Sequence, residues 1–547
     1  MRSFFITLLN FCLVALFRRL LIAITMANFT LIFFLSTNVA SAESISVKQF
    51  IAKASFQNDY VFQFYKNRNY KLFWLGNTGD NSARLNAFTF ALTDAPMHGL
   101  PSSKFSSKSL LSEISNVNSN EELGYLDVKL TLVFVKYASV MVNGILKPKK
   151  IDKKIERANS FNENFDFLSE LQQSDPFGFF KNLFPPSPEY KRLMKEKYRL
   201  EKLLASGGWG SLLTANKLSV GEQGGDVVLL RNRLISMGYL SSTYSSFYDQ
   251  PLVKAVKDFQ SDNGIPSDGS ANQSTLNLIN VSVEERLKSV LVAMERERWS
   301  RTPHNNRHVV VNLTDFTAKI VDSGTVTFET KAIIGFDDLN RRSPEFSDVL
   351  EFMVVNPSWY VPRSIAVQEY LPMLKVNSNA VSFLELRDNN GNIIQPGEVD
   401  FSSFDQETFP YSMRQPPGET NALGLVKFMF PNKNNIYLHD TPSKSLFELD
   451  VRAFSHGCIR LSDPFGFAYA LLAVQSDDPI SLFHFALGAN KEVKIELKKP
   501  IPIHLIYRTA ITKAGGGLQF RKDIYGRDAK IWDALQAEGV VLGSVTG

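Results

Sequence analysis

The 547-residue chain is 44% hydrophobic, 12% aromatic and 21% charged, which excludes a disordered or fibrous protein and supplies cores for about three domains. Lys and Arg number 60 against 55 Asp and Glu, a net charge of +5; this is too even for electrostatic capture of nucleic acid, and no nucleic-acid partner is expected. Two cysteines, Cys12 and Cys458, exclude a disulfide framework and cysteine-rich metal sites.

Residues 1–42 hold Arg2, Arg18 and Arg19 and no acid, then the apolar run Leu20 to Leu35, then small residues ending Ala40-Ser41-Ala42. A basic flank, an apolar stretch and an Ala-x-Ala end predict a secretory signal peptide. Phe4 to Phe17 is itself apolar, so an uncleaved membrane anchor is the alternative; the run is long enough to span. Either way the exported chain keeps one cysteine, Cys458. An unpaired thiol in an oxidising compartment is either buried and inert or kept for its reactivity.

Residues 43–217 read as a helical scaffold domain with no catalytic signature. Leu126, Leu130, Val133, Phe134, Tyr137 and Met141 recur at three- and four-residue steps, as an amphipathic helix requires. Phe184-Pro185-Pro186-Ser187-Pro188 breaks the pattern, a charged helix resumes over Tyr190 to Leu204, and Gly207-Gly208-Trp209-Gly210 ends it.

Residues 218–282 read as a compact three-helix module. Gly225-Asp226 opens a helix carrying Leu230 and Leu234 that stops at Gly238. Asp249 caps a second helix starting near Pro251 with Val253, Val256 and Phe259 on one face, and Leu276 with Ile279 marks a third. Gly225-Asp-Val-Val-x-Leu-x-x-Arg-Leu-x-x-x-Gly-Tyr-Leu240 followed by Ala255-Val-Lys-x-Phe-Gln-x-x-Asn-Gly-Ile-x-x-Asp-Gly269 resembles the bacterial peptidoglycan-binding domain 1 family. That resemblance implies binding to wall glycan strands or stem peptides.

Residues 283–305 supply a linking helix, with Leu287, Val290, Leu291 and Met294 opposite a strongly charged face, and Pro303 breaks it. From 306 the period changes to strands: Val309 to Val311, Thr317 to Val321, Thr325 to Ile334, Phe352 to Val355, Ile436 to Leu438 and Ile501 to Tyr507. A mainly-β domain over 306–510 follows, interrupted at about 363–417 by a capping insertion that begins as a helix and continues as polar loop; long insertions of this kind are often lids. Residues 511–547, after the turn Gly515-Gly516-Gly517, read as a C-terminal tail. The fold class is therefore multidomain α+β.

The chemistry concentrates in Tyr437-Leu438-His439 and Ser455-His456-Gly457-Cys458-Ile459-Arg460. A thiol of ordinary pKa is only a few per cent thiolate at neutral pH, so it needs a base within reach. His439 and His456 both qualify, and spacing does not choose between them. Gly457 lets backbone approach a substrate, and N–H groups of Gly457 and Cys458 could hold an oxyanion. Arg460 adds a positive charge suited to a substrate carboxylate. Zinc ligation by His439, His456 and Cys458 is the competing reading, though a fourth ligand and a water-activating carboxylate are not evident.

His439, Ser455-His-Gly-Cys458-x-Arg460, Arg341-Arg-Ser-Pro-Glu-Phe-Ser347, Asn356-Pro-Ser-Trp-Tyr-Val-Pro362 and Phe520-Arg-Lys-Asp-Ile-Tyr-Gly-Arg-Asp528 resemble the L,D-transpeptidase family with its YkuD-type catalytic domain, in particular its large Gram-negative members. The resemblance implies a helical scaffold domain, an inserted wall-binding module and a catalytic domain with a cap, working in the periplasm without metal, nucleotide or other cofactor. Cys458 is the implied nucleophile and His439 the implied base, with His456 supporting. Arg460, Tyr437, Ser455 and Trp359 are expected at the substrate, although Tyr437 and Trp359 read equally as packed aromatics. The implied reaction joins tetrapeptide stems through 3→3 meso-diaminopimelate cross-links. Implied partners are peptidoglycan stem peptides and glycan strands, carbapenem-type β-lactams as covalent inhibitors, and wall synthases. Many relatives end the motif in Asn where this chain has Arg460. A carboxypeptidase or endopeptidase using water, and a wall-binding protein with an idle site, are the alternatives.

Overall fold

The computed structural model describes residues 43–156, 165–300 and 306–543; the expected signal or anchor, with Cys12, lies outside them. The chain divides into two compact units, one of residues 1–86 with 108–134 and one of 87–107 with 135–547.

The first unit is organised around a buried carboxylate. Asp127 accepts the N–H groups of Phe73, Trp74 and Leu75 at 2.8–2.9 Å and the Tyr65 hydroxyl at 2.7 Å. Burial pushes its pKa up and these four donors pull it down; a fully buried acid persists only with such partners. Helix α1 (Asn120–Asn143) carries it. On α1 the residues Leu126, Leu130, Phe134, Tyr137 and Met141 are buried as the periodicity predicts.

In the second unit, α2 (Pro188–Ala205) precedes the module. The module folds as α3 (Gly225–Met237), α4 (Gln250–Asp262) and α5 (Gln273–Ile279). The Asp249 side chain accepts the Leu252 N–H at the start of α4, and Gly238 takes the left-handed conformation that ends α3. Leu230, Leu234, Val256, Phe259, Leu276 and Ile279 share the module's core.

Helix α6 (Val283–Trp299) follows, and the charged residues of its last turns do not meet water. Glu295, Arg296, Glu297 and Arg298 are buried. Arg296 pairs with Glu345 (2.7 Å) and Asp528 (2.8 Å), Arg298 with Glu295 (2.8 Å), and Arg508 with Glu297 (2.5 Å). The pattern of charge was legible; its partners, more than 200 residues away in the case of Asp528, were not.

The mainly-β domain is a nine-stranded sheet in the order β11-β3-β12-β10-β9-β4-β13-β1-β2, and a further β2–β3 pairing closes it on itself. Its strands are β1 (His308–Asn312), β2 (Thr317–Asp322), β3 (Thr325–Gly335), β4 (Phe346–Val355), β9 (Val426–Met429), β10 (Leu438–His439), β11 (Ala453–Ser455), β12 (Ile459–Leu461) and β13 (Val493–Ile506). Alternate side chains fill the inside: Val309, Val311, Ile320, Phe428, Leu438, Ile459 and Leu461 lie in one core with α7 (Pro464–Leu472) and α8 (Pro479–Gly488).

Two expectations are corrected. The capping insertion is not helix plus polar loop: its helical stretch passes through a π-turn at Ala366–Tyr370, and it then builds a four-stranded sheet, β5-β8-β6-β7, from Trp359–Tyr360, Ser412–Gln415, Glu385–Arg387 and Ile393–Ile394. Strands of two to four residues are too short to show a period. The segment after 510 is not a loose tail: β14 (Ala510–Thr512) and β15 (Leu518–Phe520) form a hairpin, and α9 (Arg527–Ala537) follows. Lys513 pairs with Asp262 (2.6 Å) and Arg521 donates to the Asp262 carbonyl (2.9 Å), tying the hairpin to the module.

Candidate active site

Two adjacent parallel strands assemble the site. In β10 and β12 the register sets Leu438 beside Ile459 and His439 beside Arg460. Residues paired across neighbouring strands share a face, and faces alternate along each strand. Leu438 and Ile459 point into the core. His439 and Arg460 therefore issue from the opposite face; Cys458, in the bend just before β12, joins them through Tyr437, which hydrogen-bonds to the thiol and meets the His439 ring, and through Arg460, whose charge acts on both groups. The nineteen-residue gap between histidine and cysteine is closed by the chain's return as β12.

His439 is 4% exposed, and its Nδ1 lies 2.5 Å from the Asp440 carbonyl oxygen. A carbonyl can only accept, so Nδ1 carries the ring proton and Nε2 of the neutral ring is left as a bare acceptor. Burial lowers the imidazole pKa to about 3, and the cations Arg460, Lys427 and Lys444 add to the effect. Lys427 is the β9 residue paired with His439 on the other side. The ring thus stays neutral at physiological pH and is available to take a proton. Asp440 holds its own carbonyl in place, accepting Leu425 N–H (2.9 Å), Thr441 N–H (2.7 Å) and Lys444 Nζ (2.6 Å) through its carboxylate. Gly424 leaves room for that carboxylate; a Cβ there would lie 2.3 Å from it.

Cys458 ends a tight loop between β11 and β12. The Ser455 hydroxyl donates to the Cys458 carbonyl (2.5 Å) and accepts the Gly457 N–H (3.0 Å), while Gly457 adopts φ +119°, a region favouring glycine. Cys458 is half-buried. Its Sγ lies 3.6 Å from the Asn435 carbonyl. Burial raises the thiol pKa to about 11, against hydrogen bonding from Tyr437 and the charge of Arg460. At rest the thiol and the imidazole are therefore both neutral.

The remaining expected residues separate by position. Tyr437 packs against the barrel core, against the cap core and edge-on against the His439 ring at 5.6 Å. Arg460 forms no ion pair among the described residues, and its Nε is buried without a partner. Ser455 is buried and braces the loop from within. Gly457 has its N–H committed to the Ser455 hydroxyl, which leaves the adjacent Cys458 N–H as the backbone donor of this turn to consider. Trp359 fills the cap's core and meets the Tyr370 ring edge-on. His456 turns to the cap, where its Nε2 lies 2.6 Å from Glu369 of the π-turn, and Arg341 joins the same carboxylate at 2.8 Å. The two histidines thus face different groups, His439 the Tyr437 ring and His456 the cap. Asp440 and Glu369 were not foreseen; the carboxylate directly after His439 was the available signal for the first, and the second had none.

Residues 306–495 match the family described as the L,D-transpeptidase catalytic domain, residues 59–196 a scaffold domain, and residues 223–279 the family described as "Putative peptidoglycan binding domain". A Haemophilus influenzae protein named "Putative L,D-transpeptidase" is 31% identical over 272 residues, which is 48% of this chain; the chain spans about half of that relative, 54% of its length. The crystal structure of an L,D-transpeptidase (residues 123–326) from Xylanimonas cellulosilytica is similar at 13% identity, covering 54% of this chain and 98% of that one, with a TM-score of 0.16.

Proposed function

Starting from a chain that carries an L,D-transpeptidase catalytic domain and a peptidoglycan-binding domain, we propose that it forms 3→3 meso-diaminopimelate cross-links in periplasmic peptidoglycan. The Cys458 sulfur attacks the carbonyl of the third residue of a tetrapeptide stem as its proton passes to His439 Nε2. The Cys458 N–H faces the developing oxyanion. The carbon–nitrogen bond to D-Ala breaks, the departing amine takes the proton from His439, and a thioester remains. The side-chain amine of a neighbouring diaminopimelate then attacks the thioester, gives its proton to His439, and releases the thiol. Arg460, charged and without an ion-pair partner beside the sulfur, is placed to meet a stem carboxylate.

The observation that carries this reading is the convergence of His439 and Cys458 on Tyr437 and Arg460, with the imidazole neutral and Nε2 bare. Carbapenem-type β-lactams, strained acyl donors, are expected to acylate the same sulfur, and wall synthases are the expected source of stems. Purified disaccharide-tetrapeptide incubated with the full chain should yield 3→3 dimers and free D-Ala by mass spectrometry, and none with Cys458→Ala. Trimmed monomers alone, with acceptor in excess, would make the enzyme a carboxypeptidase; no product at all would leave it a wall-binding scaffold.

A further inference from the structure

Two sequence segments outside the nucleophile motif converge on it. Ser343, fully buried, donates its hydroxyl proton to the Gly457 carbonyl (2.7 Å) and accepts the Gly335 N–H (2.9 Å). The Tyr525 hydroxyl donates to the Gly335 carbonyl (2.6 Å) and accepts the Ser343 N–H (3.3 Å). Arg527 donates to the Ser343 carbonyl (2.9 Å) and to Glu345 (3.1 Å). Gly335 permits the crossing: a Cβ there would sit 2.0 Å from the Arg341 carbonyl oxygen. Tyr525 and Arg527 lie beyond the 306–495 match to the catalytic-domain family.

The carbonyl of Gly457 and the N–H of Cys458 belong to one peptide unit. That unit is planar and trans, so its two polar groups point in opposite directions. Fixing the carbonyl on one side fixes the aim of the N–H on the other, and donation to the carbonyl also polarises the amide toward stronger donation. We propose that Ser343 is a positioning residue for acyl transfer: through the Gly457–Cys458 peptide it aims the Cys458 N–H at the reacting oxygen, and Tyr525 of the C-terminal segment holds Ser343 in place. This rests on the acyl-enzyme reading above. It gives the Arg341–Ser347 and Phe520–Asp528 segments one shared task.

The test uses the full chain, with meropenem as acyl donor and iodoacetamide as a probe that alkylates a thiol without forming an oxyanion. Ser343→Ala should slow meropenem adduct formation at least about tenfold, short of the roughly 10²–10³ lost with an oxyanion donor outright. Alkylation of Cys458 should stay within about twofold of wild type, since its sulfur and base are untouched. Tyr525→Phe, which removes one hydroxyl and keeps the ring, should slow adduct formation about threefold with the same alkylation rate, and Ser343→Thr should recover part of the loss. Wild-type adduct formation with no slowing in Ser343→Ala overturns the proposal while leaving the acyl-enzyme reading intact. Equal loss of both reactions in both variants also overturns it, because a merely loosened loop does that. A wild type that forms no adduct removes both.

Discussion

The wall-binding module and the catalytic face solve opposite folding problems. Within the module the decisive contacts are local: Asp249 caps α4 three residues on, and the Gln260 amide reaches Asp268, Ser270 and Thr275, at most 15 residues away. At the catalytic face Glu369 reaches His456 across 87 residues, Ser343 reaches Gly457 across 114, and Tyr525 reaches Gly335 across 190. A module capped and cored largely by its own neighbours depends on distant chain only at a few ties, such as Lys513 and Arg521 to Asp262. A site held by distant strands inherits every perturbation of the sheet that aligns them.

That contrast breaks most sharply at the base. His439→Ala should cut meropenem adduct formation by about 10²–10⁴-fold, the range for loss of a general base, while sedimentation with isolated sacculi stays at the wild-type level. Loss of both together would mean that the two regions are not independent. The smaller effect lies on the other side. Asp249→Ala, removing the α4 cap and the Arg231 pairing, should destabilise the module by about 1–2 kcal/mol, read as earlier loss of sacculus binding in urea. Turnover of soluble muropeptides should not change; a parallel fall in turnover would tie the module to the chemistry.

The same contrast explains what the sequence made legible. Capping and helical period are written in adjacent residues, so the limits of α3 and the start of α4 emerge nearly to the residue and α5 is placed by Leu276 and Ile279. Cys458 and His439 stand out because reactive side chains cluster in short motifs. That His439 lies beside Arg460 while His456 turns to Glu369 needed the β10–β12 register and the cap contact, both between segments that the linear chain keeps apart. Trp359 and Ser455 looked like substrate contacts because aromatic and hydroxyl groups near a motif serve packing and chemistry equally. The charged face of α6 was legible as charge alone, since nothing local announces Glu345 or Asp528 as the partners of Arg296. The capping sheet escaped because its strands are shorter than the window in which a period can be seen.

The activation of Cys458 by an already neutral imidazole is tested most directly by the pH dependence of meropenem adduct formation, followed by intact mass on the full chain. With the imidazole lowered to about 3 and the thiol raised to about 11, neither group changes charge between pH 5 and 9. The second-order rate constant should therefore be flat across that range. A sigmoidal rise centred near the ordinary histidine value of about 6.5, or a tenfold rise with every pH unit as free thiolate accumulates, would contradict the account.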